Sequence, residues 1–308
     1  MENLKLALIG DIHGFWDRHD NEYFDTSDYD ALLFTGDFPG YLPFSGRKVT
    51  RKIAELKKKV YWIPGNHDST NVVQLLGEIL HSKWMIRFGS IGHRFRLTRL
   101  KRQMGDAICV GYSATKLDSK TVLIGARPFS MGGNLNFLPF LKKEFGVSSM
   151  SESFEKLKSL YPEIQGMECI VLAHNGPAGY GSKRDDIWGC DFRKKGGDWG
   201  DADLRRFIEF VKEKGETISL ILAGHMHHRI KDLGRDRTWK ISENSSHAIN
   251  AAKVPRILTD KKGNSFRHHI RLERKNGVWD CKEIFVGERG EEIISLPEEE
   301  ILFSSDTF

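Results

Sequence analysis

The sequence is poor in the features that mark secreted and membrane proteins. Four cysteines occur in 308 residues, at positions 109, 169, 190 and 281, and no two of them form a C-x-x-C pair. This spacing argues against a disulfide framework and against a zinc ribbon. No apolar run approaches the roughly 20 residues that a membrane-spanning helix needs, and the N-terminus lacks a signal-peptide cleavage pattern. We therefore predict a cytoplasmic protein without membrane association.

A strong net charge is also absent. Lys and Arg total 47 against 42 Asp and Glu, which leaves a formal net charge of +5. Any binding of anions must therefore be local. Basic and apolar residues alternate at positions 94–102, a pattern that would suit a strand contacting nucleic acid, although a solvated edge strand is favoured. The sequence therefore allows nucleic acid as a partner but does not favour it.

What the sequence does contain is an alternation of short strands and helices. Hydrophobic residues make up 39% and charged residues 29%, as in ordinary globular proteins. Apolar runs that stop at a glycine or a polar residue predict buried strands at 5–10, 31–36, 60–65, 108–111, 121–125, 169–173 and 218–224. Apolar residues at helical spacing lie between several of them, for example at 204–211. The alternation predicts a layered α/β fold.

The last third of the sequence changes character after His228. Alternating segments at 239–242, 256–259, 269–272 and 282–286 are separated by turn sequences. They predict antiparallel hairpins that close a second sheet. Because no repeat or flexible linker interrupts the chain, we predict a single domain at 1–287, followed by an acidic, solvated tail at 288–308.

Five predicted strands end in Asp, Asn or His, the side chains that bind borderline metals. The sequences at these ends are Gly10-Asp11-Ile12-His13-Gly14, Gly36-Asp37, Gly65-Asn66-His67-Asp68, Ala173-His174-Asn175-Gly176 and Gly224-His225-Met226-His227-His228. The carboxyl ends of parallel strands form the crevice of an open sheet, so these loops can converge. A glycine beside each ligand is expected to let the backbone turn sharply.

The spacing within these motifs indicates more than one metal ion. Asp11 and His13 lie two residues apart, as do His225 and His227, so each pair can face one ion. The full set exceeds what one ion needs, whereas two ions about 3.5–4 Å apart, bridged by one carboxylate, would use all of it. The sequence therefore predicts a site for two metal ions.

Taken in order, the five motifs resemble those of the calcineurin-like metallophosphoesterase superfamily over about residues 5–230. The resemblance implies an α/β fold of the four-layer α/β/β/α sandwich type and a hydrolase of phosphate esters. It also implies a first metal on Asp11, His13 and His227, a second on Asn66, His174 and His225, and Asp37 as the bridge. Mn, Fe and Zn ions all suit such mixed oxygen and nitrogen ligands.

The same resemblance implies a mechanism. A hydroxide that bridges the two metals would act as the nucleophile, and His67 would be the general acid that protonates the leaving oxygen. Asp68 would orient the ring of His67 and support its charged form. Phosphomonoesterase and phosphodiesterase activities are not separated by the sequence.

Departures from better-known branches narrow the assignment. Protein Ser/Thr phosphatases and dinucleotide tetraphosphatases carry an Asp-Arg after the second aspartate, whereas this sequence reads Gly36-Asp37-Phe38-Pro39-Gly40 there. Purple acid phosphatases place a tyrosine where Gly40 stands here. Stretches at 125–133, 174–177 and 196–201 are similar to a poorly characterised branch of cyanobacteria and plants, which indicates no substrate.

Three further side chains are candidates for contacting the substrate. Arg127 follows a predicted strand and opens a glycine-rich loop, so it would either bind a phosphate or form an ordinary surface salt bridge. Asn175 and His228 adjoin predicted ligands, and they are either functional neighbours of the metals or incidental.

Two other functions remain open. The Gly-Asn-His-Asp sequence recurs in nucleases of this superfamily, so a metal-dependent nuclease is one alternative. Some members keep the fold and act as catalytically silent scaffolds, which is the other.

Overall fold

The computed structural model describes residues 3–40, 45–296 and 301–302, with the backbone alone at Ser45 and Leu302. Strands and helices are interspersed up to residue 223. The strands of this part are β1 (Leu4–Ile9), β2 (Ala31–Phe34), β3 (Lys59–Trp62), β4 (Ile108–Cys109), β5 (Ser113–Lys116), β6 (Thr121–Gly125), β7 (Glu168–Leu172) and β8 (Ile218–Ala223). The helices are α1 (Arg18–Thr26), α2 (Ser45–Ala54), α3 (Val72–Ile79), α4 (Lys83–Gly89), α5 (His93–Gln103), α6 (Leu138–Phe145), α7 (Met150–Lys158), α8 (Tyr161–Ile164) and α9 (Ala202–Glu213).

Beyond residue 223 the described chain is mostly strand. These strands are β9 (Arg229–Ile230), β10 (Arg235–Asp236), β11 (Lys240–Glu243), β12 (Ser246–Asn250), β13 (Ile257–Asp260), β14 (Ser265–Lys275), β15 (Val278–Val286), β16 (Glu292–Ile293) and β17 (Ile301–Leu302). A short 3-10 helix, Lys231–Leu233, lies between β9 and β10.

Two large sheets organise the molecule. The first has the order β16-β15-β14-β1-β2-β3-β4, with β13 on β14 and β17 on β13, and its β1 to β4 are parallel. The second has the order β11-β12-β8-β7-β6-β5, with β12, β8, β7 and β6 parallel and an antiparallel strand at each edge. The parallel strands are almost continuously apolar because both faces of each are buried.

The sheets and their helices form one core. Leu8 and Leu33 of the first sheet belong to the same buried cluster as Ile221 of the second, together with Ile53 of α2 and Phe207 of α9. Two sheets flanked by helices confirm the expected four-layer α/β/β/α sandwich. The parallel strands direct their carboxyl ends toward the loops that carry the predicted ligands.

Two predicted elements were wrong. The hairpin β14–β15 pairs with β1 and extends the first sheet, so among the described strands of the last third only β11 and β12 join the second. Positions 94–102 form helix α5 and not an edge strand, because His93, Leu97 and Leu100 face the interior at helical spacing.

Two short strands beyond residue 287 extend the first sheet. Glu292–Ile293 pairs with β15, and Ile301–Leu302 pairs with β13. Residues 297–300 and 303–308 of the predicted tail lie outside the described residues. The domain boundary at 287 stays a prediction.

The helices of the described ranges are all too short or too polar to cross a lipid bilayer.

Candidate metal centre

Side chains from the predicted strand ends meet in one cluster. The candidate ligand atoms of Asp11, His13 and His227 lie within 4.8 Å of one another. A second group, formed by Asp11, Asp37 and His174, meets the same limit. Because Asp11 belongs to both groups, loops that are more than 200 residues apart in sequence share a single centre.

The rings of two histidines meet edge to face in the first group. The Nε2 atom of His227 lies 3.2 Å from Nε2 of His13 and 3.6 Å from Oδ2 of Asp11. Burial lowers the pKa of His13 to about 4, so its ring is neutral at neutral pH. Neutral imidazole nitrogens beside a carboxylate are a donor set that fits a metal cation.

The second group is arranged around His174. Its Nδ1 donates to the carbonyl oxygen of Thr35 at 2.7 Å, which leaves Nε2 to face Oδ1 of Asn66 at 2.8 Å and Oδ2 of Asp37 at 3.5 Å. Burial lowers the pKa of His174, but Asp37 and Asp11 outweigh it and the pKa is raised. The oxygen atoms that surround the His174 ring favour a positive charge there, so this group also fits a metal cation.

The two carboxylates are buried and yet held ionised. Burial raises the pKa of Asp11, but the hydrogen bond from His227 and the charge of His174 outweigh it, and the pKa lies far below its ordinary value. The pKa of Asp37 is lowered in the same way, since His174 and His67 outweigh burial. Ionised carboxylates in the interior need cations nearby.

His225 contacts the cluster through its backbone and its ring. Its N–H donates to Oδ1 and Oδ2 of Asp11 at 3.1 and 3.0 Å, and its ring centroid lies 5.1 Å from that of His174. Nε2 donates to the carbonyl oxygen of Met131 at 3.1 Å, so Nδ1 is the nitrogen left for a metal. Burial lowers the pKa of His225 to about 3, which keeps the ring neutral.

Glycines beside the ligands make room for them. A Cβ at Gly65 would lie 2.2 Å from Oδ1 of Asp37, and one at Gly224 would lie 2.2 Å from Oδ1 of Asp11. The expected sharp turn is found at Gly14 and Gly36, whose φ values are +87° and +101°. Of the ligands themselves, His13, Asp37 and His225 have φ of 42°, 52° and 66°. Such left-handed backbone in non-glycine residues is strained and concentrates at functional sites.

Comparison with known proteins agrees with this geometry. The family model for calcineurin-like phosphoesterases matches residues 4–229. The chain belongs to this family. No curated protein matched it. Family membership and the two groups able to hold a metal support a metal-dependent phosphoesterase.

Solved structures resemble this phosphoesterase in fold. The TT1561 protein of Thermus thermophilus is 10% identical, with a TM-score of 0.52 over 91% of this chain and 98% of its own. Another crystal structure is 11% identical, with a TM-score of 0.51 over 92% of this chain and 99% of its own. At such identities the likeness shows the fold alone.

The predicted acid of the phosphoesterase, His67, lies beside the cluster. Its backbone N–H donates to Oδ1 of Asp37 at 2.8 Å. Its ring meets that of His13 edge to face, with centroids 5.3 Å apart. The side chain is half-buried, so it adjoins the centre and still reaches the surface.

Asp68 is engaged by the backbone. Its Oδ2 accepts the N–H groups of Asp37 at 2.8 Å and Gly65 at 2.9 Å, and its Oδ1 accepts that of Phe38 at 3.0 Å. Burial and the charge of Asp37 raise the pKa of Asp68 to about 7. These contacts tie the loop after β2 to the loop after β3. They fix the backbone that carries His67, whereas the sequence predicted an interaction with its ring.

Arg127 lies in the interior, with 1% of its surface exposed. Its Nε donates to Asp203 at 2.9 Å, and one terminal nitrogen donates to Asp201 at 2.7 Å. The guanidinium therefore forms a buried ion pair with two carboxylates of the α9 N-terminus. The expected surface salt bridge is not what the structure contains.

Asn175 and His228 are also buried and have internal partners. The amide of Asn175 donates to the carbonyl oxygen of Trp199 at 3.0 Å. Nε2 of His228 donates to the carbonyl oxygen of Asn250 at 2.9 Å. Contact of these residues or of Arg127 with a substrate stays a prediction.

Sequence reasoning missed two residues that position ligands. Thr35 donates its hydroxyl to Oδ1 of Asp11 at 3.1 Å and accepts from His174 through its carbonyl oxygen. Met131 acts through its carbonyl oxygen alone. A polar residue ending a buried strand was a usable signal for Thr35, but a backbone acceptor leaves no signal in a sequence.

Proposed function

We propose that this calcineurin-like phosphoesterase hydrolyses phosphate esters with two metal ions and uses His67 as the general acid. The observation that carries the proposal is that two groups of candidate ligands, each with its ligand atoms within 4.8 Å of one another, adjoin in one cluster in which Asp37 faces both His13 and His174.

The proposed ligands divide into two sets. Asp11, His13 and His227 would hold the first ion, Asn66, His174 and His225 the second, and Asp37 would bridge them. The bridging role is supported by Oδ2 of Asp37, which lies 3.7 Å from Nε2 of His13 and 3.5 Å from Nε2 of His174. When bound, Mn, Fe or Zn ions would lower the pKa of water and neutralise phosphoryl oxygens.

His67 would protonate the oxygen that leaves as the phosphorus–oxygen bond breaks. Its position beside His13 and its partial exposure support this role. Such an acid typically contributes about 10²–10⁴ in rate. We assign Asp68 the task of positioning His67 through the backbone, in line with its three amide contacts.

A substrate panel tests the reaction class. Purified full-length protein with Mn²⁺ is expected to hydrolyse bis-p-nitrophenyl phosphate, p-nitrophenyl phosphate or both, and a chelator should abolish this activity. Hydrolysis of the first compound alone indicates a phosphodiesterase, and of the second alone a phosphomonoesterase. Hydrolysis of neither would contradict the proposal and favour the scaffold alternative.

The acid is tested by a matched pair of variants. His67→Ala should retain bound Mn²⁺ and lose about 10²-fold or more in kcat. His247→Ala removes a half-buried histidine on β12 and should leave kcat unchanged. Equal activity of His67→Ala and the unmodified protein would refute the acid assignment. Cytoplasmic location stays a prediction.

A further inference from the structure

Helices α3 and α4 and the first turn of α5 expose many large apolar side chains, although Leu97 and Leu100 of α5 are buried. These helices lie in residues 72–103, between the loop that bears His67 and strand β4. Fifteen large apolar side chains are exposed in the described part of the chain, and nine of these lie between Val72 and Phe95. Clustering of this kind on a folded protein marks an interaction surface.

Helix α3 is inverted relative to an ordinary surface helix. Its buried positions are Gln74, Gly77 and Glu78, whereas Val72 and Ile79 are 70% and 61% exposed. A surface helix normally turns its apolar stripe to the core. In α3 the exposed face is therefore the apolar one.

The exposed apolar side chains continue along the next two helices. Trp84 and Phe88 of α4 are 71% and 63% exposed, and Phe95 of α5 is 72% exposed. Three aromatic rings directed at solvent are costly to keep there unless something covers them.

Tight packing holds the helices in this orientation. A Cβ at Gly77 would lie 2.8 Å from the backbone nitrogen of Ile86, and one at Gly89 would lie 2.5 Å from that of Gln74. Because α3 and α4 meet through these glycines, their outward faces are fixed by the fold.

The charged residues of the same segment are almost all basic. Residues 72–103 contain seven basic residues against one acidic residue, Glu78, which is buried. This excess is larger than the formal net charge of +5 of the whole chain. The exposed basic residues are Lys83, Arg87, Arg94, Arg99, Lys101 and Arg102. Arg94 also pairs with Glu144 at 3.2 Å.

We propose that residues 72–103 bind the surface of a membrane that contains anionic lipids. Apolar side chains would enter the boundary between headgroups and acyl chains, and the basic side chains would contact lipid phosphates. The sequence predicted no membrane association because no segment could span a bilayer, and the described helices are likewise unable to span one. The proposal departs from that prediction, since binding at the membrane surface needs no span. The proposal does not depend on the proposed hydrolase.

Two other partners fit the surface less well. In a symmetric dimer the segment would face a second copy of itself, so its basic residues would oppose basic residues. Nucleic acid would use aromatic rings for stacking, but it offers no favourable contact to exposed Val72, Ile79 and Leu80.

Membrane binding would place the metal centre close to the bilayer. Arg96 of α5 donates from Nε to the carbonyl oxygen of Ser69 at 2.6 Å, and Thr70 donates to that of Asn66 at 2.8 Å. The segment is thereby attached to the loop of the candidate acid.

Vesicle flotation tests the proposal. Full-length protein should float with vesicles of phosphatidylcholine and phosphatidylglycerol, and at least about tenfold less with phosphatidylcholine alone. Trp84→Ser and Phe88→Ser should each weaken binding by about tenfold or more, because each removes a large inserting side chain. Lys83→Glu combined with Arg87→Glu should weaken binding to the anionic vesicles by a similar factor.

Control variants distinguish binding through residues 72–103 from non-specific binding to vesicles. Phe192→Ser and Lys194→Glu alter exposed residues elsewhere and should leave flotation unchanged. All variants change exposed residues, so their melting temperatures should match that of the unmodified protein. Absence of flotation, or equal loss in the Phe192→Ser control, would overturn the proposal. The proposal would also be overturned if Trp84→Ser left flotation unchanged and instead abolished a concentration-dependent dimer or the binding of single-stranded DNA.

Discussion

At the scale of single residues, the centre depends on carboxylates that stay ionised although they are buried. Asp11 and Asp37 are 0% and 2% exposed, and facing histidines keep the pKa of each below its ordinary value. A buried carboxylate is stable only beside positive charge. The histidines that supply part of this stabilisation are the same side chains that would ligate metal.

Removal of the bridging carboxylate should remove metal. Asp37→Ala should reduce bound Mn²⁺ from two ions per chain to one or none, since Asp37 faces both His13 and His174. Metal analysis after gel filtration measures the ratio. The control is Asp236→Ala, which changes a partly exposed carboxylate of the β9–β10 hairpin and should keep two ions. Two ions in Asp37→Ala would refute the bridge.

The space left by Gly65 should be needed for metal binding. In Gly65→Ala the new methyl group would lie 2.2 Å from Oδ1 of Asp37 and 2.6 Å from Cε1 of His174, so these ligands must move. We expect Mn²⁺ affinity to fall by about tenfold or more, as for changes that misplace ligands. Isothermal titration measures it, and an unchanged Kd would show that the loop relaxes without disturbing the ligands.

The ligands were predictable because each motif is short and follows a strand. Asp11, Asp37, Asn66 and His174 each stand within three residues of the end of an apolar run in the sequence. Thr35 ends a buried strand and could have been identified from the sequence, whereas the carbonyl oxygen of Met131 that accepts from His225 leaves no signal in a sequence. Asp68 was predicted to orient the ring of His67, but its carboxylate accepts backbone N–H groups. Which of these partners it binds depends on the conformation of the folded loop.

At the scale of elements, a buried ion network joins the loop after β6 to α9. Arg127 donates to Asp201 and Asp203, and Ser130 donates to Asp201 at 2.7 Å. The hydroxyl of Ser153 on α7 donates to Asp203 as well. The network therefore fixes three elements around the loop that carries Met131.

Removal of Arg127 should destabilise the fold. Arg127→Met leaves two buried carboxylates without their cation, a change that typically costs about 3–5 kcal/mol in the free energy of unfolding. Urea denaturation measures the loss. Arg235→Met, which removes an exposed arginine paired with Asp185, should have a much smaller effect. Equal effects of the two variants would show that the buried network contributes little.

The buried carboxyl of α3 should make stability depend on pH. Burial raises the pKa of Glu78, although the Phe137 N–H bound to its carboxylate opposes this. The protonated form is therefore favoured in the folded state, and the stability it brings is present below the unfolded pKa and lost as pH rises through the folded one. Glu78→Gln should raise the melting temperature at pH 7 and have little effect near pH 4. An exposed control, Glu213→Gln, should show no such difference, and a pH-independent effect of Glu78→Gln would contradict the account.

Helix α5 shows why element type was harder to predict than the site. Arg94-Phe95-Arg96-Leu97 alternates as a strand would, while Leu97 and Leu100 repeat at helical spacing. So short a segment fits both the strand period of two residues and the helical period of 3.6 residues. The structure forms the helix because this places the apolar side chains of Leu97 and Leu100 in the interior.

At the scale of the whole molecule, long-range pairing decides the architecture. Hairpin β14–β15 was predictable from alternation and its turn, but its place beside β1 depends on contacts such as Leu6 with Leu272. The two sheets then bring their strand ends together, so that Asp11 of the first meets His174 and His227 of the second. The centre exists only when both sheets are packed.

The central claim is that two metal ions share this centre, and anomalous diffraction from crystals grown with Mn²⁺ tests it most directly. The account predicts two anomalous peaks, one among Asp11, His13 and His227 and one among Asn66, His174 and His225, with Asp37 between them. Both peaks should disappear from crystals treated with a chelator while the fold persists. A single peak, or peaks away from these side chains, would contradict it.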